Sequence, residues 1–353
     1  LADPKIVVLP ENLDGKPPKE FFKQKIANGI GPYRLDALAA DGTEVHLVRN
    51  EKYFKNKPRI ARYVLRTMTK SKAIQGFKDG SLYDLEAYAQ NINLNNPEAV
   101  GLRAISKVYS ISGFSTTMLF LNGYSPVFKS EAVRRIFKES LDQGLIVEAC
   151  GANIVPSYGI IPDGMIGWLS PHHYAPSLTS DHDRREAIKL LRSRKKYVIY
   201  SYGSGDYSCV IREITRQLSS RLGVSFEYKH VSLSRLVADW NTPNADMVME
   251  QCDVRTPEPL GIFSYFSPRS PHNLTHFMDQ EIDLRLDRLA GIPISSQRAL
   301  EYRDLNDYIS NRRIYVIPVL TNIQKPLFRR FVRSQYIPST FLFFTGFDRV
   351  WIQ

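Results

Sequence analysis

The chain has 353 residues, of which 43% are hydrophobic and 24% charged, with 20 Gly, 21 Pro and 3 Cys. That composition excludes a disordered, collagenous or disulfide-stapled product, and the length allows about two compact domains, since single cores stop growing at roughly 250–300 residues. Lysine and arginine total 47 against 36 acidic residues, a net charge of +11 that favours anionic partners without choosing among nucleic acid, anionic lipid and an acidic ligand.

From the N-terminus, residues 1–30 hold no charged-then-apolar leader and the chain opens LADPKIVV without Met, so a removed leader or a missing N-terminus is expected. No apolar stretch approaches the roughly 18 residues that a membrane-spanning helix needs. Gly29-Ile-Gly31-Pro32 reads as a backbone turn, because no helix follows it to make a phosphate loop. Tyr33–Leu38 and Thr43–Val48 alternate around Ala40-Asp41-Gly42, the pattern of a β-hairpin. A strand over Ala61–Thr67, a short helix over Ser71–Phe77, a strand over Tyr83–Ala87 and a polar loop over Asn91–Pro97 follow.

Thr117–Asn122 is an apolar strand leading through Gly123, Ser125 and Pro126 into a helix with Ala132, Val133, Ile136, Phe137 and Leu141 on one side. The change of character places a domain boundary near 121–124. Pro156–Pro176 is too rich in Pro and Gly for regular structure and carries Tyr158, Trp168 and Tyr174, which suggests a long binding loop.

The next unit is β-α-β: strand Tyr197–Tyr202, turn Gly203–Asp206, a helix with Val210, Ile211, Ile214, Leu218 and Leu222 on one face, then strand Ser225–Val231. Helix Leu233–Trp240 and strand Asp246–Met249 extend it into a parallel sheet. Ligands of open α/β sheets bind beyond the carboxyl ends of the strands, so Tyr202–Tyr207 and Glu250–Pro259 border the expected crevice. Glu281–Leu289 and Gln297–Ile309 read as amphipathic helices, Tyr315–Leu320 as a buried strand closing the second domain, and the basic, aromatic tail 326–353 as a return to the first.

The residues offer little chemistry. Cys150, Cys209 and Cys252 are odd in number and form no CxxC pair, so they allow at most one bridge and no zinc or thioredoxin motif. His172, His173, Asp181, His182 and Asp183 lack a helical HxxxH spacing, and no metal site is expected. Gly203-Ser204-Gly205 is not a nucleophile elbow; it suits a helix N-terminus that accepts an anion or is capped by Asp206. The basic helix Arg184–Lys196 reads as a solvated face rather than a nucleic-acid stripe, for want of interleaved aromatics. Trp240 is assigned to the core, and Trp168 is the tryptophan expected to serve as a ligand platform. No catalytic constellation and no cofactor motif emerge, which leaves binding without chemistry as the leading class.

Several ordered segments carry a family resemblance. Gly29-Ile-Gly-Pro-Tyr-Arg-Leu35 followed by Val48-Arg-Asn-Glu-Lys-Tyr-Phe54 resembles the G-T-G-P-Y-x-L and E-R-N-x-x-Y-W hairpin of the family-5 extracellular solute-binding proteins, the oligopeptide, dipeptide and nickel receptors of bacterial ABC importers. Phe120-Leu-Asn122, Val133–Phe137 with Leu141-Asp142, Ile161–Met165 and Arg185–Leu191 are similar to that family's F-N-T strand, V-R-Q-A helix, I-P-P-G-M loop and E-K-A-K-x-L-L helix. The likeness continues through Asn273, Arg298–Tyr302, Ile317–Val319 and Val350-Trp351, with the upstream part of the family pattern absent, as in a truncated or processed form.

The resemblance implies a type II periplasmic-binding-protein-like α/β fold: two hinged lobes with mixed sheets, lacking the accessory N-terminal domain. Residues 1–121 would belong to lobe one, 122–320 to the second lobe and 321–353 to the return, with crossings near Leu121–Asn122 and Val319–Thr321. It implies a periplasmic or surface receptor, monomeric and not an enzyme, that hands a short peptide or other small solute to a membrane permease and binds no nucleic acid. The alternative is the solute-sensing domain of a transcriptional regulator of the same fold. In peptide-binding members a G-W-x-x-D-Y-x-x-P loop supplies an aspartate for the ligand's amino terminus; here Gln251–Pro259 puts Arg255 at that position and Cys252 where the aromatic belongs. The expected ligand-binding residues are therefore Arg255 for an anionic group, with Ser204 and Asp206 assisting, Asp253 as a substitute acidic contact, and Asn122, Tyr202, Trp168 and Asn273.

Overall fold

The computed structural model describes residues 31–85, 99–151, 153–171, 179–194, 196–203, 207–254, 258–293, 296–334 and 350–353. The chain divides into two compact units, Leu1–Ile111 with Gln324–Gln353, and Ser112–Ile323. The expected borders at 121/122 and 320/321 thus lie within the second unit, because the strands that carry them are bonded to its sheet.

In the first unit, β1 (Tyr33–Leu38) and β2 (Glu44–Arg49) form the expected antiparallel hairpin. Its turn is closed by Asp41, whose Oδ1 accepts from the Thr43 amide at 3.0 Å and hydroxyl at 2.7 Å, while Gly42 takes φ +71°. Strand β3 (Arg62–Arg66) adds antiparallel to β2. Helix α1 (Lys70–Asp79) stops at Gly80, whose φ of +90° suits a residue without Cβ. Helix α2 (Val100–Ile105) leads into β4 (Ser106–Val108), and Phe77, Leu85, Leu102 and Leu327 pack as a small core. The strand expected over Tyr83–Ala87 reduces, among the described residues, to one bridge between Asp84 and Phe328; the Asn91–Pro97 loop lies outside them.

The second unit begins with β5 (Ile111–Leu121), followed by α3 (Glu131–Glu139), α4 (Gln143–Cys150) and β6 (Ile154–Pro156). Ser130 and Asp142 cap α3 and α4 by accepting from Val133 and Leu145 amides. Then come α5 (Asp181–Arg192), β7 (Lys196–Tyr202), α6 (Ser208–Leu222), β8 (Ser225–Val231), α7 (Leu233–Trp240) and β9 (Met247–Asp253). Helices α8 (Gln280–Gly291) and α9 (Ser296–Asp307) precede β10 (Val316–Gln324). In the first unit again, β11 (Leu327–Arg329) pairs with β4, and β12 (Val332–Ser334) with β13 (Val350–Ile352).

The sheet order is β6-β10-β5-β9-β7-β8. Strands β8, β7 and β9 are parallel, as the β-α-β reading requires, whereas β5 lies antiparallel to β9 and β6 to β10, so the sheet is mixed. One face carries Leu119, Leu121, Ile199, Met247, Met249, Ile317 and Val319 against Val133, Ile136, Phe137, Ile211, Ile214 and Leu218 of the helices. Each fully buried Leu, Ile or Phe of this layer contributes roughly 1.5–3 kcal/mol. The two-residue period turns Met118, Phe120, Val248, Glu250 and Cys252 to the other face, where Phe120 stacks on Phe266 at 5.7 Å.

The 157–171 segment has no regular structure but is not a free loop. Ile160 and Ile161 are fully buried. Asn306 of α9 holds the segment, accepting from the Ile160 amide at 2.8 Å and donating to the Gly167 carbonyl at 3.1 Å. A disulfide joins Cys150 at the end of α4 to Cys209 at the start of α6, and Cys252 is a buried free thiol.

Candidate functional site

At the carboxyl ends of β7 and β9 the sheet meets a polar edge, the end at which β5 begins and β10 stops. Tyr202, the last residue of β7, donates its hydroxyl to Glu250 of β9. Tyr207, just ahead of α6, accepts from the Gln251 backbone amide and lies within electrostatic reach of Glu250, Cys252 and Asp253. Across the sheet, Asn322 Nδ2 of β10 donates to Gln251 Oε1 at 2.8 Å, and Gln251 Nε2 donates to Asp253 Oδ1 at 3.0 Å. Gly113 of β5 permits the close approach of β10, since a Cβ there would sit 2.7 Å from the Asn322 carbonyl oxygen.

Burial sets the electrostatics. It pushes the half-buried Glu250 carboxyl up to about 7, with Asp253 adding to the rise and the Tyr202 hydroxyl opposing it. Burial, reinforced by Glu250, raises the Tyr202 and Tyr207 phenols, and burial raises the Cys252 thiol. At neutral pH the edge therefore offers neutral tyrosine donors and one carboxylate poised between its two protonation states.

The structure brings together two of the residues expected from sequence, Tyr202 and Asp253, the latter exposed at the end of β9. Arg255, Ser204 and Asp206 lie outside the described residues; Gly203, next to them, takes φ +76°.

Asn122 and Asn273 lie apart from this edge. They sit at the opposite end of the sheet, beside the start of β9, because β5 runs antiparallel to β9 and pairs Leu121 with Met247. The seven residues of β9 separate the two ends by roughly 20 Å. Asn122 is fully buried, and its Nδ2 donates to the Trp240, Thr242 and Ala245 carbonyls at 3.0, 3.2 and 2.8 Å. Its Oδ1 accepts from the Tyr124 amide at 2.9 Å and His276 Nδ1 at 3.0 Å, so no hydrogen-bonding capacity is left for a ligand. Asn273 is likewise engaged: its Oδ1 accepts from the Thr275 amide and hydroxyl and the His276 amide, and its Nδ2 donates to Phe277. Together they hold His276 at φ +56°.

Trp168 is half-buried in the segment anchored by Asn306, and Trp240 is buried, as expected, donating Nε1 to the Leu274 carbonyl at 2.8 Å. On and just after the basic helix, Arg184 pairs with Glu139, Arg194 with the buried Asp246 and Lys196 with Glu227. Glu250 and Tyr207 were not singled out from sequence, although both border the nominated strand ends; the available signal was a lone Glu directly after the apolar run Met247-Val-Met249.

The family model of bacterial extracellular solute-binding proteins, family 5 Middle, matches residues 4–272, and the chain belongs to this family. Solved structures of the same fold include the ABC transporter substrate-binding protein CtaP of Listeria monocytogenes, 16% identical with a TM-score of 0.75, over 94% of this chain and 68% of that one. HbpA2 of Haemophilus parasuis is 16% identical with a TM-score of 0.74, over 92% of this chain and 64% of that one. The periplasmic binding protein DppA of Helicobacter pylori, in complex with the peptide STSA, is 15% identical with a TM-score of 0.66, over 92% and 63%. The chain thus spans about two thirds of the length of these structures. A comparison with curated proteins finds no match. Membership in this family places the chain among solute-binding proteins rather than enzymes.

Proposed function

We propose that the chain is the substrate-binding component of an ABC importer and captures a short peptide or peptide-like solute at the carboxyl ends of β7 and β9. The observation that carries this reading is the polar edge of Tyr202, Tyr207, Glu250, Gln251 and Asp253, lying where open α/β sheets receive ligands, in a chain of the solute-binding family. The edge supplies phenol donors, a pinned amide and two carboxylates. Each neutral hydrogen bond there contributes about 0.5–1.5 kcal/mol, so several must act together to reach the roughly −8 kcal/mol of micromolar binding. The peptide-bound Helicobacter pylori structure supports a peptide as the solute.

The partner is the membrane permease of the importer, and the receptor works as a monomer outside the cytoplasm, in the periplasm or at the cell surface. The Cys150–Cys209 disulfide supports that compartment, because cytosolic thiols are kept reduced; it also counts against a cytoplasmic sensor role. Native mass spectrometry of gently isolated protein tests the reading. A co-purified adduct of peptide mass, lost on mild unfolding, is expected. A bare protein that also gives no heat with a short-peptide mixture in calorimetry would contradict it.

A further inference from the structure

Helix α5 carries two kinds of cation. Arg184 is neutralised by Glu139, as Arg194 and Lys196 just beyond the helix are by Asp246 and Glu227. Arg185, Lys189 and Arg192 are different. Spaced i, i+4, i+7, they fall on one side of the helix; all three are exposed, and among the described residues none forms an ion pair. Asp181, Asp183 and Glu186 of the same helix do not pair with them, Asp183 being engaged by Ser180 and His182. Together with Ile188 and Ser193 the three cations line a shallow groove of about 630 Å³. At one end of it Arg192 Nε donates to the Leu222 carbonyl at 3.0 Å, and the guanidinium lies over Gly223, where a Cβ would stand 2.9 Å from Nη2. That bond holds Arg192 in position before any partner arrives. Arg221, exposed and likewise without an ion pair among the described residues, stands in the last turn of α6 beside this contact.

We propose that this groove is a docking surface for an anionic lipid bilayer, with Arg185, Lys189 and Arg192 lying against its phosphate headgroups. The inference goes beyond solute capture and takes from that reading only the location outside the cytoplasm, at a membrane that holds the permease. Charge and extent select the occupant. Seven residues of helix set Arg185 and Arg192 about 10 Å apart along the axis, so a single carboxylate or phosphate does not reach all three cations, whereas an array of headgroups does. The net charge of +11 draws the chain toward such a surface from a distance, and the unpaired stripe fixes which side meets it. No aromatic ring lines the groove to stack on bases, which sets it apart from a single-stranded nucleic-acid site. Each Lys or Arg at an anionic leaflet strengthens binding roughly fivefold, so the three together supply about a hundredfold, an attachment that forms and releases readily. The attraction fades within a screening length, about 10 Å at 0.1 M salt.

The test is co-sedimentation of the intact protein with vesicles of phosphatidylcholine alone or mixed with phosphatidylglycerol. The wild type is expected to bind the anionic vesicles at about 0.1 M salt, to ignore the zwitterionic ones, and to be released at about 1 M, where the screening length is about 3 Å. The triple variant Arg185→Gln, Lys189→Gln, Arg192→Gln should bind about a hundredfold more weakly. A control triple, Lys70→Gln, Lys72→Gln, Lys78→Gln, removes the same charge from exposed positions of α1 and should bind as the wild type does. The double variant Arg185→Gln, Lys189→Gln leaves the Arg192–Leu222 contact in place and should lose about 25-fold, so a folding fault in the triple cannot mask the answer. A wild type without preference for the anionic vesicles would overturn the inference, and so would equal losses in the two triples, which would assign binding to net charge alone. Tighter binding of a single-stranded oligonucleotide than of vesicles, lost in the groove variant, would overturn the lipid assignment in favour of nucleic acid. Calorimetry with short peptides reads the solute site separately, and the groove variants should leave it unchanged, so failure of one reading does not touch the other.

Discussion

Replacing Gly167 by alanine isolates what holds the 157–171 segment against α9. Gly167 has φ +84°, a region where an L-residue costs roughly 1–2 kcal/mol. A Cβ there would also stand 2.4 Å from Tyr302 Cβ, 3.0 Å from Ile161 Cδ1 and 3.1 Å from the Tyr302 carbonyl carbon. Tyr302 is fully buried, and its Cβ and backbone cannot swing aside as the tip of a long side chain could. Overpacking of this kind typically adds about 1–3 kcal/mol, so the total loss is about 2–5 kcal/mol. Gly164 provides the control: its φ is +81°, yet nothing lies within 4 Å of its Cβ position. Gly164→Ala should lose only the backbone share, about 1–2 kcal/mol. Urea unfolding followed by tryptophan fluorescence measures both variants. Gly167→Ala should be the less stable by about 1–3 kcal/mol, and equal losses would refute the packing argument.

Three further outcomes follow from the same geometry. Converting Cys150 and Cys209 to serine opens a closure of 59 residues, which by the chain-entropy relation stabilises by up to about 4 kcal/mol; an unchanged unfolding midpoint would show that the bridge does not constrain the unfolded chain. Lys138 of α3 is buried and donates to the Ser310 carbonyl and to Asn311, and burial brings its ammonium from 10.5 down to about 7. The unfolded chain takes up that proton first, so stability should fall as pH drops from about 10 to 7 and then level off, and Lys138→Met should flatten this slope; parallel curves for the two proteins in denaturant titrations would contradict it. Because an ionised carboxylate at the proposed solute site accepts hydrogen bonds more strongly than a protonated one, calorimetric affinity for a short peptide should weaken as pH falls through about 7, where Glu250 takes up its proton while Tyr202 and Tyr207 stay neutral; equal affinities at the two ends of that range would contradict it.

Much of the fold was legible because it is locally encoded. The Asp41-Gly42 turn sets the hairpin register, and the apolar stripe of Val210, Ile211, Ile214, Leu218 and Leu222 between two strands defines the β-α-β unit. What escaped was long-range. Thr117–Asn122 was readable as a strand, but its antiparallel pairing with β9 was not, and that pairing places Asn122 beside the start of β9. Asn306 pins Ile160 from 146 residues away, so a Pro- and Gly-rich stretch that reads as an open loop is packed. Three cysteines allowed three bridges, and only the meeting of the ends of α4 and α6 selects one. Glu250 follows Met247-Val-Met249 without a break in the strand; that it is shielded depends on which neighbours the sheet assembles.

The central claim, that solute is captured at the carboxyl ends of β7 and β9, is tested most directly by hydrogen exchange with and without a bound short peptide. Slowed exchange is predicted in Ser201–Gly203, Tyr207 and Glu250–Asp253, with no change at Asn122–Tyr124 and Asn273–His276. Protection confined to the Asn122 and Asn273 end, with the Tyr202 and Glu250 segments unaffected, would contradict the account.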